Sequence, residues 1–335
     1  MRRAVLGTLL TVLALSGPGA AQAASWAQPQ IRVVVREGLM GPSVDAFRPK
    51  GSLTAGALAR AMAVLTGDEQ APARPDRIVR MRALERALVR AARLSGAARH
   101  VQAELRAAGL EPPKRVGAEV VARLLGLRHN HPSEKDGLEL RPRDPATRAE
   151  AAYSFAELLA LEDWRVPDVR ERARSLDLPE LTAWQRRILA RAVSFVGYPY
   201  VWGGTSERRQ TLFGVTSRGG FDCSGFAWRV YRLESYPGAP ELQDVLRGRT
   251  ASAMAGEVPA SERIRRSRLR PGDLVFFSER GSDARPADVS HMGIFAGGGW
   301  FVHSSTQGTT LTTLTGWYAD RFAWARRPLR EAGLT

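Results

Sequence analysis

Near Gly197 the chain changes character, and that change limits the folds open to it. Before it, Ala-, Leu- and Arg-rich stretches carry apolar residues at helical spacing over residues 53–65, 78–110, 116–127 and 147–161. After it, Gly, Tyr, Trp and Phe become frequent, and short apolar runs bounded by turn residues replace the long helical stretches. The pattern predicts an α+β protein in two parts. A mainly helical region covers residues 24–161, a charged linker or linking helix with Pro167 inside it covers 162–183, and a second domain covers 184–330. Residues 31–35 read as strand or helix, and 38–47 as a turn. The stretch 78–110 is expected to break at Ser95–Gly96. Thr147 reads as an N-cap with Glu150 in capping-box position.

Charge adds a constraint on partners. Lys and Arg total 49 against 34 Asp and Glu, a net charge of +15, which favours an anionic partner. Aromatics make up 7% and are not interleaved with basic runs, so single-stranded nucleic acid is a poor candidate. The first 23 residues read as a signal peptide: Arg2 and Arg3, an apolar stretch, a Ser16-Gly17-Pro18 break and a small-residue site at Ala21-Gln22-Ala23. A mature start near Ala24 follows, and the protein is expected to be secreted, with no lipid anchor and no integral membrane span.

Export makes the single cysteine informative. Secreted chains use cysteine in pairs, yet Cys223 has no partner in the sequence, so it is either a small core residue or a working thiol. It lies in Phe221-Asp222-Cys223-Ser224-Gly225-Phe226, and the apolar spacing after Ser224 is helical. A thiol at a helix N-terminus is expected to have a lowered pKa. Downstream, two apolar stretches, one from His291 and one ending at His303, flank Gly297-Gly298-Gly299 and read as a β-hairpin. A turn centred on Gly297 sets His291 opposite His303 on one face. A thiol with two facing imidazoles suits nucleophilic catalysis, one ring taking the proton and a further polar group orienting it. Zinc ligation is the competing reading; with no second Cys and no short ligand pair, no metal or cofactor is expected. His129 and His131, around Asn130 in a polar loop, read as solvent-exposed rather than as a metal pair.

An internal repeat runs through the helical region. Phe47-Arg48-Pro49-Lys50 with Thr54 matches Leu140-Arg141-Pro142-Arg143 with Thr147 at a constant offset of 93 residues. The second copy continues Thr147-Arg148-Ala149-Glu150 and resembles S-layer-homology repeats. That resemblance implies binding of an anionic secondary cell-wall polymer, with Arg148 as a contact.

The motifs of the second domain, in order, are Tyr198-Pro199-Tyr200-Val201-Trp202-Gly203-Gly204, the segment around Cys223, Pro271-Gly272-Asp273-Leu274-Val275-Phe276-Phe277, and Ser290-His291-Met292-Gly293-Ile294-Phe295. Together they resemble the NlpC/P60 cell-wall peptidases. The resemblance implies a papain-like fold, with helices packed on an antiparallel sheet. It also implies Cys223 as nucleophile, His291 as base, His303 as orienting residue and Tyr200 at the oxyanion. Asp222 and Ser224 match positions that hold the free amine of a peptide stem in some members, and Trp202 joins them as a candidate substrate contact. The implied function is a secreted cysteine endopeptidase cutting peptidoglycan stem peptides at the γ-D-glutamyl–diamino acid bond. A non-catalytic wall-binding protein and an amidase or acyltransferase on the same fold are the alternatives. The polar loops 205–220 and 279–287 are longer than the family pattern and are expected to reshape the cleft.

Overall fold

The computed structural model describes residues 25–334; the expected signal peptide lies outside the described residues. The helical region comprises α1 (Gln28–Arg36), α2 (Ala55–Thr66), α3 (Met81–Ala91), α4 (Ser95–Ala107), α5 (Val116–Leu124), α6 (Arg148–Leu159) and α7 (Arg165–Arg174). The ambiguous segment 31–35 is helical despite its run of valines, because Ile31 and Val34 share a face that packs toward α6. The stretch 78–110 divides just before Ser95, which opens α4, with Arg93 in the left-handed region at φ 55°. Within the expected linker, α7 packs on α4 and α5 and buries Val169 and Ala173.

Both copies of the repeat enter their helices the same way. The Thr54 hydroxyl accepts the Ala57 N–H and the Thr147 hydroxyl accepts the Glu150 N–H, each satisfying an orphan donor of the first turn. The reciprocal half of the second box is not made, because the Glu150 carboxylate turns to His131 Nε2 at 3.2 Å. A third segment joins the pair. Leu53 N–H donates to the Ala146 carbonyl (2.8 Å), Ala146 N–H to Val79 (2.9 Å) and Val79 N–H to Leu53 (2.9 Å). This closed ring places the starts of α2, α3 and α6 around one centre. The sequence hid the third member because Arg80 replaces the capping Thr and makes no side-chain cap.

The loop after α5 folds back instead of projecting into solvent, so the expectation of exposed histidines is corrected. His131 is buried, and its N–H donates to Glu139 at 2.6 Å. His129 stacks on Trp26 with ring centroids 4.5 Å apart. Around them, Arg128 pairs with Glu85 at 3.4 Å and Arg123 with Glu119 at 3.7 Å, all buried. Burial raises the Glu139 carboxyl to about 7. Charges this deep persist only when paired.

The second region begins with α8 (Ala183–Ser194), held by a Thr182–Gln185 capping box. Short strands β1 (Thr205–Ser206), β2 (Gln210–Leu212), β3 (Val215–Ser217) and β4 (Gly220–Phe221) form two nested hairpins, so the loop 205–220 is an arm. Positive φ at Phe213 (49°) and Gly214 (82°) makes its tight turn. Then come α9 (Cys223–Tyr231), α10 (Ala251–Gly256), β5 (Leu274–Phe277), β6 (His291–Gly297), β7 (Trp300–Ser305), β8 (Gly308–Thr313), α11 (Trp317–Asp320), β9 (Phe322–Arg326) and α12 (Pro328–Glu331). Among the described residues, β5 to β9 form an antiparallel sheet in the order β8-β7-β6-β5-β9, and α9 packs on β6 and β7. The stretch 279–287 contributes 3-10 turns, one of which packs on α10.

The helices and the sheet share a continuous apolar core. Polar bonds cross the seam as well: the buried Arg123 donates to the carbonyls of Gly197 and Gln307, and Arg115 to those of Ser194 (2.8 Å) and Val196 (3.0 Å).

Candidate active site

The aromatic turn and the cysteine segment are laced together by backbone. Phe221 N–H donates to Pro199, Val201 N–H to Phe221 and Asp222 N–H to Gly204, at 3.2, 3.2 and 3.1 Å. Asp222 is the N-cap of α9, its carboxylate accepting the Gly225 N–H, and Cys223 is the first helical residue. Gly225 is required by close approach: a Cβ there would lie 1.9 Å from the Gly204 carbonyl oxygen. Gly225→Ala is therefore expected to push the helix start off the aromatic turn, lowering the melting temperature by several degrees and activity by about 10²-fold, read by calorimetry beside turnover.

Cys223 is partly exposed, and its Sγ accepts the N–H groups of Ser224 and Met292. The second bond sets the strand carrying His291 against the sulfur. Burial, then the Asp222 charge, push the thiol up to about 12, outweighing those two donors. The expectation of a lowered thiol pKa is corrected for this resting state: desolvation at the helix start exceeds the favourable backbone field there. Burial pushes His291 down to about 4 and His303 well below the imidazole range. At neutral pH the pair is a thiol and a neutral imidazole.

The histidines meet, but not in the expected register. Phe295 pairs with Phe301 and Ile294 with Val302, so the turn centres one residue later and a bulge lies between Phe295 and Gly297. Continued down the strands, this register sets Gly293, not His291, opposite His303. The shift moves the partner by two residues, which preserves the face, so His291 and His303 are diagonal neighbours. Gly293 leaves the room, since a Cβ there would lie 2.6 Å from Phe301 Cδ2 and 3.0 Å from His303 Cβ. His291 Nε2 lies 2.9 Å from His303 Nδ1, and the rings cross at 82°. This bond leaves His291 Nδ1 as the nitrogen available to accept a proton. His303 is fully buried against Phe301 and Tyr318, with ring centroids at 4.8 and 5.2 Å.

Two clefts adjoin at Tyr200 and Trp202. One, of 370 Å³, holds Cys223, Asp222 and Ser224 with Arg249 and Phe213. The other, of 610 Å³, holds His291 with Trp317, Tyr318, Ser305 and the loop from Asn130 to Asp136. Burial and the Cys223 and Asp222 charges push the Tyr200 hydroxyl upward, so it is a donor at neutral pH. Cys223, Asp222 and Ser224 thus line one cleft and His291, bonded to His303, lines the adjoining one, with Tyr200 and Trp202 shared by both. Arg148 is elsewhere: its guanidinium lies over the Phe47 ring at 4.6 Å and donates to the Phe47 carbonyl at 2.6 Å. Sequence reading missed Arg249, Tyr318 and Asp136, which lie outside the motifs and reach the cleft through packing. Asp136 accepts the Trp202 N–H at 2.9 Å, so the helical region supplies part of the cleft wall.

A helix packed on an antiparallel sheet carries the thiol at the helix start, and the sheet carries the hydrogen-bonded imidazole pair. Residues 197–327 match the NlpC/P60 family, and this part of the chain is an NlpC/P60 domain. Over 130 residues (38% of this chain, 34% of the relative) it is 32% identical to the γ-D-glutamyl-L-lysine dipeptidyl-peptidase of Bacillus subtilis. It is 34% identical over 135 residues (39% and 41%) to murein DD-endopeptidase MepH of Escherichia coli. The chain therefore spans well under half the length of these curated relatives. A solved NlpC/P60 family protein from Bacillus cereus covers 46% of this chain and 43% of its own, at 24% identity and a TM-score of 0.33.

Proposed function

We propose that the protein is a cysteine endopeptidase of peptidoglycan stem peptides acting outside the cytoplasm. The observation that carries this reading is the Sγ of Cys223, held by the N–H of Met292, the residue that follows His291, whose imidazole is itself bonded to His303 at 2.9 Å. The names of the relatives, both peptidases and one a murein endopeptidase, supply the substrate class. The signal-peptide-like start supports export. No helix among the described residues is long and apolar enough to cross a membrane.

In this mechanism the Cys223 proton passes to His291 Nδ1 as Sγ bonds to the scissile carbonyl carbon. The oxyanion is received by the Cys223 N–H, an N1 donor without an intrahelical acceptor, and by the Tyr200 hydroxyl. The His291 imidazolium, donating from Nε2 to His303 Nδ1, returns the proton to the leaving amine and leaves a thioester. His291 then takes a proton from water, and hydroxide attack on the thioester releases the acid and restores the thiol. The bond proposed is that between γ-D-glutamate and the diamino acid. Digesting muropeptides and weighing the products tests this: a mass corresponding to that scission supports it, whereas loss of the whole stem from the glycan marks an amidase.

The low His291 pKa sets an acid limit. With the base neutral above about 4, kcat/KM is expected to rise with pH through about 4 and to be flat to neutrality. Stability moves the same way. The folded pKa is depressed below the ordinary 6.5, so the unfolded chain binds more protons between these values. That contribution is complete above pH 6.5 and lost as pH falls toward 4. Denaturant midpoints across that window check the sign.

We also propose that the helical region holds the enzyme on anionic cell-wall polymer. Supporting this, Arg148 lies among like charges: desolvation, then Arg60 and Arg48, lower its pKa. Intact protein with Cys223→Ala should cosediment with purified wall and lose about tenfold in affinity on Arg148→Glu; equal binding by both would leave the region without this role.

A further inference from the structure

The helical region reaches the peptidase domain through a buried guanidinium that the mechanism above does not use. Arg123 lies in the last turn of α5, is 2% exposed, and faces Glu119 one turn earlier at 3.7 Å, beyond hydrogen-bond distance. Its hydrogen bonds go elsewhere. Nη2 donates to the Gly197 carbonyl and Nη1 to the Gln307 carbonyl, both across the seam. The receiving side is shaped for this pair: a Cβ on Gly308 would run into Arg123 Nη1, and one on Gly197 would lie 2.7 Å from the Glu119 carboxylate carbon.

The two carbonyls belong to a junction between the cleft's edges. Gly197 N–H donates to the Thr309 carbonyl and Thr309 N–H to the Tyr198 carbonyl, each at 2.8 Å, so the segment entering the aromatic turn pairs with β8. Tyr200 comes next in that turn, and its backbone bridges to Phe221, just ahead of Cys223. On the other side, Gln307 lies in the turn between β7 and β8 and lines the cleft that holds His291, while β7 carries His303 opposite Thr310. Ser304 Oγ donates to the Phe221 carbonyl at 2.7 Å, tying β7 to the same segment. One guanidinium thus joins the strand bearing the orienting histidine to the turn bearing the oxyanion tyrosine. A buried pair serving stability alone gains most from direct, bidentate bonds to its carboxylate. Here the donors go to the backbone of two cleft edges, and an oxyanion donor displaced by about 1 Å forfeits much of its effect.

Resting on the peptidase reading above, we propose that Arg123 is a positioning residue of the peptidase: from the helical region it holds the aromatic turn to the β7–β8 turn and so sets the Tyr200 hydroxyl relative to Cys223 and the histidine pair. It touches no substrate and transfers no proton. The helical region is then a working part of the peptidase as well as its proposed wall anchor.

The test is a mutant cycle in the full chain, read as kcat and KM on muropeptides at neutral pH. Glu119→Gln with Arg123→Met removes both charges at similar volume and leaves neither partner as a lone buried ion, so thermal melting should show a folded protein. Its kcat should fall about tenfold with KM unchanged. Tyr200→Phe alone should cost about 10²-fold. Combined, the losses should not multiply: the triple variant should stay near a loss of about 10²-fold, because the paired variant has already misplaced the hydroxyl. A purely structural role predicts a multiplied loss of about 10³-fold, and that result overturns the proposal. So does a wild-type kcat in the folded paired variant, or a Tyr200→Phe loss under about threefold, which leaves Arg123 nothing to position. Arg123→Lys keeps the charge and reaches one of the two carbonyls at a time. If the paired variant fails to fold, the same cycle on Arg123→Lys decides: a loss that vanishes in the Tyr200→Phe background is expected, and a multiplied loss overturns the proposal. If wild type digests no muropeptide, the peptidase reading fails and the proposal falls with it; the other adverse outcomes leave that reading intact.

Discussion

Cys223→Ala is expected to fold like the wild type and to lose muropeptide cleavage by about 10⁴-fold or more. The side chain removed is small and partly exposed, and the cap that starts its helix belongs to Asp222, so little stability should go with it. Mass-resolved digestion on one preparation and thermal melting on the same preparation separate loss of chemistry from loss of fold. Cleavage within a few fold of wild type would mean that the sulfur takes no part. A thiol-directed electrophile adds a check: the pair rests as thiol and imidazole, so labelling should be modest at neutral pH and should depend on His291.

The second large effect concerns that imidazole pair. His291→Gln should lower kcat by about 10³-fold, since in the proposed mechanism that ring moves the proton. His303→Gln should cost about 10- to 10²-fold, because that ring orients and does not transfer, and KM should stay unchanged in both. His303→Ala adds a packing loss, since the ring fills a fully buried site against Phe301 and Tyr318. Equal losses in the two Gln variants would instead make the pair a shared proton carrier.

Several features of the site were legible from residue order. The helical spacing after Ser224 put Cys223 at a helix start, and the structure makes it the first helical residue. The even spacing between His291 and His303 around a glycine turn put both rings on one sheet face. That inference survived an error in register, because a two-residue slip preserves the face while a one-residue slip would have reversed it. The α+β division near Gly197 was equally visible in composition.

Other features were not legible, for reasons that lie in the packing. The Cys223 pKa was misjudged because the helix start is visible in sequence whereas the desolvation opposing it is not. His129 and His131 read as solvated because a polar loop ordinarily is; here it folds onto Trp26 and Tyr153 over a buried set of ion pairs. Arg249 had no signal at all in a chain so rich in arginine.

Sequence alone determined the local chemistry: which sulfur starts a helix and which imidazoles share a face. Those properties depend on neighbours a few residues away or on the two-residue period of a strand. Only the tertiary structure decided the protonation states, the engagement of Asp222 by a guanidinium 27 positions downstream, and the wall that the helical region adds to the cleft. Desolvation and charge pairing depend on what surrounds a group in three dimensions, and that environment is set by segments far apart in the chain.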